Sequence, residues 1–185
     1  LALIKGAHPD ITDQKMRELC EGTPLMEGMM ECLQWIVDNG HEIAIISGGM
    51  QETARDIACM FPSDKPWKRR WGGINRHRGI DTKFHVFTNG WLERNDGSID
   101  DYGRYQVQMN GKGSIVKMLQ RRLDIPKERT ISIGDSAGDI GMFEESELSI
   151  CFNPWDEKPV AVAKMTIRSR NLLDVLEAIK DQIRG

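Results

Sequence analysis

Apolar positions along this chain recur at two spacings that alternate. Over residues 13–21, Met16 and Leu19 mark the apolar side of a short helix that Thr12 can cap. From Pro24 to about Asn39, Met26, Met29, Met30, Leu33, Ile36 and Val37 fall three or four apart, as on a helix that covers a sheet, and Asn39-Gly40 stops it. Glu42-Ile43-Ala44-Ile45-Ile46-Ser47 is then almost continuously apolar, which predicts a strand buried on both faces, and a helix over about 50–60 follows. Phe84–Thr88 predicts another strand. Trp91–Glu93 and Tyr105–Met109 predict the arms of an antiparallel excursion turning near Asn95-Asp96-Gly97. A helix to about Leu123 turns Ile115, Val116, Leu119 and Leu123 inward, and Pro126 ends that segment. After it come a buried strand over 129–134, a strand at Leu148–Phe152, a helix over 157–163 and an edge strand at Met165–Ile167. The last helix, about 171–183, buries Leu172, Leu173, Leu176, Ile179 and Ile183. Strands alternating with helices predict an α/β fold, a mostly parallel sheet with helices on both faces.

Composition narrows the class. A length of 185 residues sets one domain, or one with a small appendage, and 39% hydrophobic with 29% charged residues fits a soluble globular protein. A net charge of −3 argues against wholesale nucleic-acid or membrane binding, and no apolar run reaches the roughly 18 residues of a membrane span. No signal peptide is visible. Cys20, Cys32, Cys59 and Cys151 form no close pair of the C-x-x-C kind, so they read as buried reduced thiols of a cytoplasmic protein. Residues 62–83 depart from this balance. They carry seven Lys or Arg against Asp64 and Asp81, with Trp67 and Trp71 between them. That is the pattern of a nucleic-acid or acidic-ligand patch, or of a solvated insertion whose tryptophans pack back on the body. The acidic balance of the whole chain favours the insertion.

Three junctions carry candidate chemistry. A strand leading into Ser47-Gly48-Gly49 and a helix has the geometry of an anion cradle, with glycines that admit a ligand to the backbone, a helix N-terminus and a hydroxyl; it is equally an ordinary strand-to-helix turn. Asn110-Gly111-Lys112-Gly113-Ser114 is not a P-loop, because that motif needs Gly at 106 and Ser or Thr at 113 where the chain has Gln106 and Gly113. A lysine at a helix start opposes the dipole and calls for an anion, unless it is a plain surface lysine. In Ile131-Ser132-Ile133-Gly134-Asp135-Ser136-Ala137-Gly138-Asp139, two carboxylates bracket a tight turn at the carboxyl end of a strand. Ligands bind at that end in open α/β sheets, and Mg²⁺ takes a few carboxylate oxygens there, although the same residues can simply cap a helix. A hydroxyl, an ammonium and a carboxylate–metal site, in this order, describe a pocket for a phosphoryl group.

The order and wording of these pieces resemble the haloacid dehalogenase superfamily, in particular its phosphoserine-phosphatase-like branch. Ile45-Ile46-Ser47-Gly48-Gly49 is similar to the second motif, Lys112 to the third-motif lysine, and Gly134-Asp135-Ser136-Ala137-Gly138-Asp139 to the acidic fourth motif. The resemblance implies a Rossmann-like three-layer sandwich. Residues 1–22 would be the tail of a small helical cap and 23–185 the core, with the insertion at 62–83 and a β-hairpin at about 91–109. It implies catalytic roles for Lys112 and Ser47, phosphate binding by Ser47, Gly48, Gly49 and Lys112, and Mg²⁺ binding by Asp135 and Asp139. The activity implied is Mg²⁺-dependent hydrolysis of a small phosphorylated metabolite through an aspartyl-phosphate, in the cytoplasm, with a homodimer left open.

The sequence also departs from the family. The first motif, Asp-x-Asp after a strand, does not occur, since no two of the aspartates are two apart, and position 138 is Gly where the branch usually has Asn. The nucleophile is therefore expected N-terminal to residue 1, on a strand that would lie between the strands at 42–47 and 129–134. Two other readings remain at this point: a phosphate- or nucleotide-binding module without catalysis, and a protein that binds nucleic acid through its basic arm.

Overall fold

The computed structural model describes residues 7–63, 74–77 and 80–184, so Trp67, Trp71 and most of the basic positions of the 62–83 segment lie outside the described residues. The chain divides into two compact units, one from Leu1–Pro24 and Glu42–Val107, the other from Leu25–His41 and Gln108–Gly185.

The first unit is built on one long strand. In chain order it holds α1 (Asp13–Cys20), β1 (Ile43–Met50), α3 (Gln51–Cys59), β2 (Ile74–His77), β3 (Ile80–Glu93) and β4 (Ile99–Arg104), with α2 (Met29–Asp38) belonging to the other unit. β3 pairs with β1 in parallel and with β2 and β4 antiparallel. Its middle, Phe84-His85-Val86-Phe87-Thr88, is buried residue after residue, the signature of a strand covered on both faces. Phe61 stacks on Phe84 with ring centroids 4.9 Å apart. α1 starts as the sequence predicts, with the Thr12 hydroxyl accepting from the Lys15 N–H at 3.2 Å. Met16 joins Ile11, Trp91 and Ile99 in a buried cluster, whereas Leu19 is 65% exposed and does not share that face.

Two expectations for this unit are corrected. The second arm of the excursion is β4 at 99–104, not 105–109, and the turn between the arms is tied by Asp96, whose Oδ1 accepts from the N–H and hydroxyl of Ser98. β1 is also not buried on both faces. Ile43, Ile45 and Ile46 are half-buried and Ala44 is exposed, because β1 has one neighbour, β3, among the described residues.

The second unit holds α2 (Met29–Asp38), α4 (Lys112–Leu123), β5 (Ile131–Gly134), α5 (Ile140–Glu144), β6 (Leu148–Phe152), α6 (Glu157–Val162), β7 (Met165–Ile167) and α7 (Leu173–Arg184). Its sheet has the parallel order β5-β6-β7. All five residues of β6 are buried. Leu148, Ile150 and Phe152 meet Val175 and Ile179 of α7 in the core, with Trp35, Ile36 and Leu172 packed against them. Pro24 does not open α2, which starts at Met29. Gly28 stands before it at φ +72° and the Glu27 carbonyl accepts from the Leu172 N–H, so 24–28 is a strap held to the start of α7. A Cβ at Gly28 would lie 2.2 Å from Oδ1 of Asn171. β5 and β1 belong to different sheets and do not pair with each other; β5, like β1, has one neighbour among the described residues.

The architecture is thus α/β with parallel pairing in both sheets and helices following the strands. Among the described residues no helix is long and apolar enough to cross a membrane.

Candidate active site

In the second unit the site grows from the end of β5. The chain leaves Gly134 into Asp135 and Ser136, makes a 3-10 turn at Ala137–Asp139 and continues into α5. Asp139 folds back over that turn. Its Oδ2 accepts from the Asp135 N–H, the Ser136 N–H and the Ser136 hydroxyl, each at 3.0 Å. Ser136 returns the contact, its side chain accepting from the backbone of Asp139, which completes a reciprocal capping box. Gly134 is needed for this, because a Cβ there would lie 2.5 Å from the Cβ and Cγ of Asp139.

The other oxygen of Asp139 takes the ammonium of Lys112 at 2.6 Å. Lys112 is the first residue of α4, and the next residue, Gly113, lets α4 approach α5: a Cβ at 113 would sit 2.4 Å from the Gly141 carbonyl. The anion called for by a lysine at a helix start is therefore Asp139. Asp139 is 2% exposed. Burial acts to raise its carboxyl, but the Lys112 ammonium and the two backbone N–H groups outweigh burial and hold it below the ordinary range. Asp135 is exposed and behaves oppositely: partial burial, then the negative charge of Asp139, push its carboxyl up.

These partners decide which carboxylate fits a metal. A carboxylate offers about four lone-pair positions. Asp139 already accepts four hydrogen bonds and would have to release some of them to ligate. Asp135 is destabilised as an anion by its surroundings, so a dication would offset what burial and Asp139 impose on it. Mg²⁺ is commonly met by one or two carboxylates together with waters and phosphate oxygens, and Asp135 fits that demand with Asp139 as its support. Among the described residues no three His, Cys, Asp or Glu side chains group as a metal cage.

Ser47, Gly48 and Gly49 belong to the first unit. β1 runs through all three to Met50, so they extend the strand where an abrupt turn was expected. The register against β3 shifts there: Ser47 pairs with Thr88 and Met50 with Asn89, so the two glycines bulge out of the ladder and are exposed. The Ser47 hydroxyl accepts from the Gly49 N–H at 3.1 Å, and α3 starts directly after Met50. Asn89 was not singled out from the sequence, yet it ties this bulge. Its Nδ2 donates to the carbonyls of Gly48 and Val107, and its Oδ1 accepts from the N–H groups of Gln106 and Val107. Ser136 was missed as well, although Ser-x-x-Asp is a legible cap signal. The structure brings Lys112, Asp135 and Asp139 together in one unit, and Ser47, Gly48 and Gly49 in the other.

Residues 106–179 match the haloacid dehalogenase-like hydrolase family, a span that contains Lys112, Asp135 and Asp139. Phosphoserine phosphatase of Methanocaldococcus jannaschii is 26% identical over 173 residues, covering 92% of this chain and 71% of that protein. Two solved structures share the fold: phosphoserine phosphatase in apo form (TM-score 0.71, 23% identity, 91% of this chain and 74% of that one) and a phospho-aspartyl intermediate analogue of phosphoserine phosphatase (TM-score 0.71, 22% identity, 91% and 71%). The order Ser47, Lys112, Asp135, Asp139 along an α/β chain, the match over residues 106–179 and these relatives together support a haloacid dehalogenase-like, phosphoserine-phosphatase-like protein.

Proposed function

We propose that this chain carries the phosphate-handling groups of a phosphomonoester hydrolase that works through an aspartyl-phosphate. The observation that carries the reading is the Lys112–Asp139 pair beside Asp135 at the carboxyl end of β5. In such a reaction a carboxylate oxygen attacks phosphorus, the alcohol leaves with a proton, and water then cleaves the acyl phosphate to free phosphate and the carboxylate. No attacking aspartate is assigned among residues 1–185, which contain no Asp-x-Asp pair.

The residues present have separate tasks in this reading. Lys112, held by Asp139, sets a positive charge against the phosphoryl oxygens. Ser47 and the N–H groups of the Gly48-Gly49 bulge hold phosphate. Asp135 holds Mg²⁺, which supplies charge stabilisation to the transferring group when bound. Asp139 keeps Lys112 and the Asp135 turn in place. The substrate is a small phosphorylated metabolite. A reducing, cytoplasmic setting suits four cysteines that are not joined in disulfides.

The test is a panel of phosphomonoesters hydrolysed by the full-length protein with and without Mg²⁺. Lys112→Ala is expected to lower kcat by about 10²-fold or more, the scale for removing one preorganised electrostatic contact. Unchanged turnover in that variant would overturn the assignment.

A further inference from the structure

The first unit contains a cleft that the phosphatase reading does not use. It measures about 250 Å³ and is lined by Asp13, Arg17, Gln51, Arg55, Trp91, Leu92, Glu93 and Arg104. Its floor is an ion network. Glu52, fully buried, takes Arg17 Nη1 at 3.2 Å on one oxygen and Arg55 Nη1 at 3.3 Å on the other. Arg17 also pairs with Asp13, which accepts from Trp91 Nε1 at 2.6 Å. This network explains Arg17 and Asp13 as ties between α1, α3 and β3.

It does not explain Arg104. That guanidinium touches no carboxylate among the described residues. Its Nη2 donates to the neutral Oε1 of Gln51 at 2.8 Å, and its Nε is buried without a hydrogen-bond partner among the described residues. Gln51 is fixed in that position by Gly90, where a Cβ would fall 2.1 Å from Oε1. A guanidinium has five donors, so Arg104 presents unused, planar hydrogen-bonding capacity in a partly desolvated wall. Arg55 also lines the cleft, with its Nη1 on Glu52.

We propose that this cleft binds a small monocarboxylate, with Arg104 and Arg55 as its two cationic contacts and the Trp91–Leu92 wall against its apolar body. The valence follows from local charge: Arg17, Arg55 and Arg104 face Asp13, Glu52 and Glu93, so the cleft holds no surplus of cations, and Glu93 at the rim with the carboxylates below opposes a dianion such as phosphate, while the unused donors of Arg104 suit a single carboxylate. Burial depresses both arginines and the charge of Arg104 further depresses Arg55, while the Glu52 carboxylate beneath acts to raise both. The proposal stands on this unit alone and does not rest on the phosphatase reading.

The test is ligand-observed saturation-transfer NMR on the full-length protein, with propionate as probe and inorganic phosphate as competitor. Wild-type protein is expected to bind propionate saturably and to keep it against equimolar phosphate. Arg104→Gln is expected to weaken binding at least tenfold, and Arg94→Gln, a surface change outside the cleft, to leave it unaltered. Arg55→Lys, which keeps charge but loses the planar fork, decides if Arg104→Gln fails to fold by circular dichroism: severalfold weaker binding supports the site. Absence of saturable binding, an unchanged affinity in either cleft variant, or displacement by equimolar phosphate overturns it.

Discussion

Each unit of this protein has a deeply buried carboxylate that organises polar groups around it, Asp139 in one and Glu52 in the other, and the two do so by different means. Asp139 is served mainly by its own turn: three of its four donors come from Asp135 and Ser136, and one long-range ammonium completes the set. Glu52 is served by guanidiniums, one from its own helix and one from α1, 35 residues away. The first arrangement is rigid because backbone N–H groups cannot leave, and it suits a position that must hold a lysine and a second carboxylate in fixed geometry. The second is a bridge between helices, whose long side chains also reach a cleft. A local donor set makes a reaction site; a distributed one makes a joint.

The largest effect expected from breaking this comparison is at Asp139. Asp139→Asn removes the charge that Lys112 faces and sets amide hydrogens against existing donors. Breaking a buried pair in this way costs about 3–5 kcal/mol, and Lys112 and the turn both lose their anchor. Urea unfolding is expected to report a loss of about 3 kcal/mol or more. A loss below about 1 kcal/mol would show that the turn holds without its carboxylate. Glu52→Gln is expected to cost less, about 2 kcal/mol, because Arg17 and Arg55 are partly exposed and water compensates them. If Glu52→Gln proved the costlier of the two, the contrast between a locally served and a distributed carboxylate would be wrong.

The same contrast explains what could be read from the sequence. The turn at Asp135–Asp139, the places of the strands on either side of it and the helices α4 and α7 were legible because their determinants are local, apolar runs and Gly134; the burial expected of the strand over 129–134 was not, since it runs over Ile131–Gly134 and Ile133 is exposed. The Glu52 network left little trace, since only Glu52 and Arg55 share a helical spacing, while Arg17 and Arg104 come from distant parts of the chain. The arm assigned to Tyr105–Met109 shows a subtler failure. Its alternation reads as a strand, yet the backbone of Gln106 and Val107 bonds to the side chain of Asn89 instead of to a ladder. A single asparagine meets the hydrogen-bonding needs of an extended segment, and no hydrophobic pattern reports that. The end of β1 was misjudged because Gly48-Gly49 suggested a turn, whereas glycine here serves a bulge inside a strand.

The smallest stability effect, and the one of opposite sign, belongs to Asp135. Its carboxyl is raised by burial and by the charge of Asp139, so the folded protein binds that proton more tightly than the unfolded chain. Ionised Asp135 therefore opposes folding, with a penalty that sets in as pH rises from the ordinary carboxylate range through the raised value and is complete above it. Asp139, held below the ordinary range, contributes the reverse: stability complete above that range and lost as pH falls through its depressed value. Asp135→Asn should remove the penalty and leave Asp139 untouched. Because Asp135 is exposed, screening limits the gain to about 0.5 kcal/mol at neutral pH, and it should vanish in acid once the wild-type carboxyl is protonated. The same variant should lose Mg²⁺-dependent turnover and the stabilisation that added Mg²⁺ gives the wild type. Thermal unfolding of both proteins at pH 7 and below pH 4, with and without Mg²⁺, measures all of this. A variant that is destabilised at neutral pH, or that Mg²⁺ stabilises as strongly as the wild type, would show that Asp135 holds up the turn and does not receive the metal.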